Sequence, residues 1–342
     1  MSNLSAILRQ LAAKQDLSIA EMRSAMQSIM SGAATPAQIG AFLMGLHIKG
    51  ETVTEIATAV KVVREFALPI NLSMPHLVDI VGTGGDQSHT FNISTTSAFV
   101  AAAAGAKVAK HHNRSISSQS GSADLLTLAG FPLDLTPTAT IACIEKIGIG
   151  FMFAPYYHPA WQQVSAPRRE LGIRTLFNIL GPLANPAGVK QQLIGVFAKR
   201  WLIPVAEVLA ELGSEHVLVV HSADGLDEIS IAAPTHVAEL HHGNIDSYTI
   251  VPEEFNITNA PLRTIQINNP QESLNLVQQV LANQAGPARD IVALNAGAAI
   301  YAADVTTSLA DGITMAKEML ANGAAKAKFV ELLNFSQQLQ TK

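Results

Sequence analysis

The apolar residues change their period once along this chain, near residue 72, and that change limits the architectures open to it. Up to that point the spacing is helical throughout. Leu4, Ile7, Leu8 and Leu11 share one stripe; Met22, Met26 and Ile29 a second; Phe42, Leu43 and Leu46 a third; Ile56, Val60, Val63 and Phe66 a fourth. Ser18 with Glu21 has the form of a capping box, and Thr35 stands before Pro36 with Gln38 at the third helical position. Beyond residue 72, Leu77-Val78-Asp79-Ile80-Val81 reads as a buried strand running into a glycine turn. Strand and helix patterns alternate from there. Strands are expected at 107–110, 150–153, 193–197 and 216–221, with an antiparallel excursion within 231–265. Helices are expected at 97–105, 122–128, 138–146, 159–171, 202–212, 272–283, 307–320 and 323–339. This order predicts an α/β chain: a small all-helical N-terminal domain over residues 1–72, then a domain over 73–342 with a largely parallel central sheet flanked by helices. The apolar face left over on so small a bundle must pack on the second domain or on another copy of the chain.

Composition removes several classes of function. With 22 Lys and Arg against 27 Asp and Glu, the net charge of −5 is the opposite of a nucleic-acid binder's basic surface, so no such partner is expected. Cys143 is the only cysteine, which excludes an intrachain disulfide and a cysteine metal cluster. The longest apolar stretch, around 98–106, is too short to span a bilayer, and the N-terminus lacks the pattern of a signal peptide. A cytoplasmic protein without a membrane partner is expected.

Two loops carry the chemistry. In an open α/β sheet, ligands gather at the carboxyl ends of strands. Gly82-Thr83-Gly84-Gly85-Asp86 follows the first strand, where glycines let a ligand reach backbone N–H groups. Asn92-Ile93-Ser94-Thr95-Thr96 then opens a helix whose first amides can meet an anion. The turn fits neither the dinucleotide fingerprint nor the P-loop, and alone it is equally readable as a tight structural turn. The next segment, Lys110-His111-His112-Asn113-Arg114-Ser115-Ile116-Ser117-Ser118-Gln119-Ser120-Gly121-Ser122, packs cations, an amide and five serines between a strand and a helix. Core packing requires none of that polarity; a phosphate does. Lys110 offers a mobile point charge and Arg114 a planar fork. Arg114 can instead pair with an internal carboxylate, and His111 can instead anchor a backbone carbonyl.

Asp224-Gly225-Leu226-Asp227-Glu228 follows the strand over 217–221. Adjacent carboxylates repel one another unless a cation intervenes, so Asp227 and Glu228 can bind Mg²⁺, with Ser94 adding an oxygen; a solvated turn is the alternative. Arg168, Arg169 and Arg174 lie among helices, where one can take a substrate carboxylate and the others can cap helices or pair with Glu170.

Taken together, Gly82–Asp86, Phe91–Thr95, Lys110–Asp124, Phe151–Ala160, Leu171–Ala187 and Asp224–Ser230 resemble the anthranilate phosphoribosyltransferases over nearly the whole chain. The related pyrimidine nucleoside phosphorylases share the helical-plus-α/β plan, but the block Arg174–Leu183 favours the transferases. The resemblance implies anthranilate and 5-phosphoribosyl 1-diphosphate as substrates in tryptophan biosynthesis. It implies binding of the sugar diphosphate by Gly82, Gly85, Asp86, Thr90, Asn92, Ile93, Ser94, Thr95, Lys110, His111, His112, Asn113, Arg114, Ser115, Ile116, Ser117, Ser118 and Ser122. Anthranilate would contact Gly82, Asn113 and Arg168, and two Mg²⁺ ions would be held by Ser94, Asp227 and Glu228. No catalytic residue is assigned, His111 being the one candidate. A homodimer through the helical domain is implied, that domain also taking in a segment at about 165–185. The chain departs from the family where Gln87 and His112 stand for glycine, Gln119 for lysine and Pro167 for valine; a positive φ at position 112 would narrow the loop there.

Overall fold

The structure, a computed structural model, describes residues 4–114 and 119–340. Helices α1 (Leu4–Ala12), α2 (Ile19–Met30), α3 (Pro36–Lys49) and α4 (Val53–Glu65) form the N-terminal bundle. Ser18, Thr35 and Thr52 each close a reciprocal capping box with the residue three positions on, so three of the four helix starts are written locally. The sheet comprises β1 (Leu77–Gly82), β2 (Lys107–His112), β3 (Ile149–Phe153), β4 (Gln191–Gly195), β5 (His216–Ser222), β6 (Thr235–His241) and β7 (Asn244–Ile250). Around it lie α5 (Ile93–Ala103), α6 (Ser122–Leu128), α7 (Pro137–Ile147), α8 (Ala154–Tyr157), α9 (Gln162–Leu171), α10 (Phe177–Leu183), α11 (Leu202–Glu211), α12 (Pro270–Leu281), α13 (Pro287–Ala302), α14 (Leu309–Ala321) and α15 (Ala324–Gln340).

The strand order is β3-β2-β1-β4-β5-β6-β7, with β1 to β5 parallel and β6 and β7 antiparallel. The chain builds outward from β1 to β3, then returns to the other side of β1 with β4. That reversal is a topological switch point, where strand-end loops diverge and leave a crevice.

The bundle spends its leftover apolar face on the second unit. Phe42, Leu43, Val60 and Val63 share one core with Val164, Leu176, Leu180 and Leu183, and with Val217 and Leu240 of the sheet. Arg64 of α4 donates to the Leu183 carbonyl through Nε at 3.1 Å and Nη2 at 2.6 Å, tying the bundle to α10. Among the described residues no helix is long and apolar enough to cross a membrane.

Local boundaries differ from the sequence expectation in three informative places. Strand β2 runs on to His112, because β3 pairs with it as far as His112 opposite Phe153. Helix α5 starts at Ile93, not 97. The expected helix at 159–171 is split into a 3-10 turn, which Pro159 opens, and α9, and the short helix α8 lies before it, ending ahead of Pro159. Helix α13 is not predicted by spacing at all. Its residues from Ile291 to Ile300 are buried on every side, so no polar face marks a helical period.

Candidate active site

Strands β1, β2, β3, β4 and β5 all end on one edge of the sheet, and a cleft of about 920 Å³ opens above them. Its floor depends on two glycines. Gly82 and Gly195 face each other across β1 and β4; a Cβ on Gly195 would overlap the Asp227 carbonyl, and one on Gly82 would overlap the Asp227 carboxylate. Only side-chain-free strand ends let Asp227 lie across them. The Gly84 N–H then donates to Asp227 Oδ2 at 2.7 Å, which joins the two motifs that the sequence shows as separate.

The turn after β1 is held from its flanks. Thr83 N–H donates to Gly195 O at 2.9 Å, and Phe197 N–H donates to Thr83 Oγ1 at 3.0 Å. Asp86 accepts from the Ser88 hydroxyl at 2.6 Å. Arg174 donates to the Gly85 carbonyl and lies over the Phe197 ring at 4.1 Å. It therefore braces the turn, a role that the sequence leaves open.

Lys110 is buried rather than mobile. Its Nζ donates to the Ile80 carbonyl and to Ser94 Oγ at 3.2 Å. Burial pulls its pKa down, against the pull of Asp79, Glu228 and Asp227 in the other direction. Burial pushes the carboxyls of Asp227 and Glu228 up, and neighbouring acids push further: Asp86 on the first, Asp227 on the second. Three carboxylates thus face the cleft with too little positive charge beside them. With the Ser94 hydroxyl they make an all-oxygen donor set, which fits a hard divalent cation such as Mg²⁺. Asp224, the third acid of its turn, instead accepts from the Ser230 hydroxyl at 2.6 Å.

The remaining sequence-predicted residues divide by what their side chains already hold. Asn92 is committed: Oδ1 accepts from the Ser120 hydroxyl at 2.9 Å and the Ser273 hydroxyl at 2.6 Å, and Nδ2 donates to Ser120 O at 3.1 Å. Thr95 lies beneath the cleft and donates to Ser122 Oγ at 2.8 Å. Arg114 donates to Asp124 Oδ1 at 3.0 Å, so the internal pairing left open above is the one observed. Ser115, Ile116, Ser117 and Ser118 lie outside the described residues. Gly82, Gly85, Asp86, Thr90, Ile93, Ser94, Asn113 and Ser122 line the cleft.

His111 anchors a carbonyl, its Nδ1 lying 3.1 Å from Gly181 O. That bond sets the tautomer with the proton on Nδ1, while Nε2 is buried without a hydrogen-bond partner among the described residues. Burial, then His158 and His112, hold its pKa well below the usual histidine range. His112 ends β2 with its ring against Phe151 and Phe153, at 5.6 and 5.7 Å. Burial holds it neutral, its pKa brought down to about 3. Its φ is not positive; of the two positions where the resemblance sets a glycine, it is Gln87 that has a left-handed backbone, with φ 58°.

Arg168 projects from α9 into the same cleft, its guanidinium 5.6 Å from the centre of the Phe177 ring. Among the described residues no carboxylate pairs with it. Asp79 is the residue that sequence reasoning passed over. It accepts from His111 N–H at 3.2 Å and Asn185 Nδ2 at 2.7 Å, and burial pushes its pKa up to about 6. The signal was an acid in the middle of an apolar strand, which must find partners.

Residues 5–67 match the helical bundle domain, and residues 74–326 the a/b domain, of a glycosyl transferase family, the class this pairing of bundle and glycine-floored cleft defines. The anthranilate phosphoribosyltransferase of Methylococcus capsulatus is 57% identical over 332 residues, 97% of either chain. The crystal structure of anthranilate phosphoribosyltransferase from Thermus thermophilus has a TM-score of 0.92 at 40% identity, covering 96% of this chain and 99% of that one. The Saccharomyces cerevisiae enzyme, in complex with PRPP (5-phosphoribosyl 1-diphosphate) and Mg, has a TM-score of 0.89 at 26% identity over 98% of each chain. This chain belongs to the anthranilate phosphoribosyltransferase family.

Proposed function

We propose that the chain transfers the 5-phosphoribosyl group from 5-phosphoribosyl 1-diphosphate to the amine of anthranilate, releasing diphosphate, in L-tryptophan biosynthesis. The observation that carries this reading is one cleft with a glycine turn, Lys110 and three acids on its floor, and on its wall a half-buried arginine, Arg168, with no carboxylate partner among the described residues.

Gly82, Gly85, Asp86, Thr90, Ile93, Ser94, Thr95, Lys110, His111, His112, Asn113 and Ser122 line or support the pocket for the sugar diphosphate; Ser115, Ile116, Ser117 and Ser118, outside the described residues, complete the proposed binding set on the family resemblance alone. Asn92 and Arg114 contribute by holding the segment that carries those residues, since their own side chains bond Ser120, Ser273 and Asp124. Arg168 receives the anthranilate carboxylate as a charge-assisted pair, with Asn113 and Gly82 beside the ring. Ser94, Asp227 and Glu228 would hold Mg²⁺, as two ions, which supplies positive charge to the diphosphate as it leaves. The aromatic amine is neutral at pH 7 and attacks the anomeric carbon from the face opposite the leaving group; the C–N bond forms as the C–O bond to diphosphate breaks, and the nitrogen then gives up one proton to solvent. Positioning and a preorganised polar floor supply the catalysis. His111 keeps its own proton on Nδ1 and is a weak base, so it serves as a hydrogen-bond acceptor through Nε2.

The helical domain spans residues 1–72 and takes in about 165–185, as the shared core of α4, α9 and α10 supports. A homodimer forms through that domain, where Ile19 and Ile48 are 59% and 58% exposed. The protein is cytoplasmic. Loss of anthranilate fluorescence on adding 5-phosphoribosyl 1-diphosphate and Mg²⁺ tests the reaction. A folded protein that leaves anthranilate unchanged, or turns it over equally well after Asp227→Asn with Glu228→Gln, would overturn it.

A further inference from the structure

At the opposite end of the sheet from the cleft, three side chains with metal-ligating atoms meet. The antiparallel register sets His216, the first residue of β5, directly across from His241, the last of β6. The strand period of two puts Glu239 on the same face as His241. Their ligating atoms all lie within 4.8 Å of one another. His216 Nε2 is 3.0 Å from Glu239 Oε1; the His241 ring is stacked on His216 at 3.9 Å and reaches a shared ion by turning a nitrogen toward that pair.

We propose that His216, Glu239 and His241 bind one transition-metal ion of the Zn²⁺ class, at a second site separate from the cleft. Two imidazoles and one carboxylate form a donor set that suits Zn²⁺ far better than Mg²⁺. Ligands about 2.0–2.1 Å from a tetrahedral ion stand roughly 3.3 Å apart, close to the His216–Glu239 spacing already present.

The surroundings are built as a metal's outer shell would be. Asp304 Oδ1 holds His216 Nδ1 at 2.6 Å, which aims Nε2 at Glu239. The Tyr301 and Tyr248 hydroxyls donate to the two Glu239 oxygens at 2.7 and 2.8 Å and fix the carboxylate. Carboxylates and hydroxyls that orient ligands in this way tune metal sites. Charge points the same way. Glu239 and Asp304 carry two negative charges, and among the described residues no lysine or arginine pairs with either. A dication restores the balance that a single proton on His216 does not. The His216 ring is 1% exposed and the Glu239 side chain 12%, whereas His241 is half-buried, so an ion enters from the His241 side. The seven residues of β5 separate this end from the Asp227–Glu228 loop by about 20 Å.

The test uses full-length, untagged protein stripped with chelator and dialysed against Zn²⁺ with excess Mg²⁺ to occupy the cleft acids. Elemental analysis counts the bound metal, and Co²⁺ substitution reports coordination by its visible absorption. The wild type is expected to retain about one Zn²⁺ per chain, to show a tetrahedral Co²⁺ spectrum and to gain thermal stability with Zn²⁺. His241→Ala, at a half-exposed position, is expected to unfold cooperatively, to bind Zn²⁺ at least about tenfold more weakly and to lose the thermal shift. Asp227→Asn with Glu228→Gln is expected to keep the bound ion. Wild-type protein that holds no Zn²⁺ would overturn the proposal, as would equal Zn²⁺ affinity in His241→Ala, or an ion lost with the cleft acids instead.

Discussion

Asn295 shows how a helix far from the chemistry positions it. Its side chain is fully buried in α13, where Oδ1 accepts from Ile229 N–H at 2.9 Å and Nδ2 donates to Ile229 O at 2.9 Å. Ile229 immediately follows Asp227 and Glu228, so this clamp holds the backbone that presents both acids. Asn295→Leu keeps the branching and number of heavy atoms, in a somewhat larger side chain, and removes both polar atoms. The Ile291 carbonyl, which also accepts from Nδ2, retains its helical partner. The Ile229 N–H and carbonyl are left buried without partners, at about 1–3 kcal/mol each, for a loss of roughly 2–6 kcal/mol. Urea unfolding of the metal-free protein at neutral pH measures that loss. Steady-state kinetics measures the second consequence. A shift of about 1 Å in the acid pair lowers kcat/KM for the sugar diphosphate by roughly 10- to 100-fold, while KM for anthranilate moves little. A stability loss below about 0.5 kcal/mol, with unchanged Mg²⁺ dependence, would show that Asn295 does not hold this loop.

Other substitutions test the remaining contacts. Arg168→Ala removes a charge-assisted pair of about 1.5–3 kcal/mol, so KM for anthranilate should rise roughly 10- to 100-fold with KM for the sugar diphosphate nearly constant; equal changes in both would refute the assignment. Gly195→Ala forces a Cβ into the Asp227 carbonyl, and denaturation together with initial rates should show about 1–3 kcal/mol lost and activity sharply reduced. Asp79 has its pKa raised from 3.8 to about 6, mainly by burial, so the folded state binds its proton more tightly than the unfolded chain. The stability this contributes is present below about pH 4 and lost as pH rises through about 6. Unfolding free energies of metal-free wild type, measured relative to Asp79→Asn, should therefore fall across that interval, and a flat or rising difference would contradict the buried-acid account.

Much of the fold was legible because its signals are local. The caps at Ser18 and Thr35 were readable because residues three positions away complete them, and Thr52 closes a third box of the same form in the structure. The strand leading into Gly82–Asp86 announced its own turn, and Asp227 and Glu228 advertised a cation by standing side by side. Helix α13 was illegible because burial on all sides erases the period by which a helix is read. Lys110 was read as mobile and proved buried, and the role of Arg114 was open, for a related reason: residue type shows that a cation is present, but not what it touches.

Sequence by itself determined the helical bundle, the alternating α/β plan, the two loops and the acid pair, because each depends on residues close together along the chain. It also supplied the family resemblance, through several motifs in one order. Only the tertiary structure decided that Gly84 donates to Asp227, that Arg174 braces the glycine turn, and that Arg168 faces the same cleft as Lys110. It alone brought Asn295 under the acid pair and set His216 against His241 and Glu239. The physical reason is that these contacts join segments from different strands and helices. Strand order and register place them, and neither is written in the spacing of any one segment.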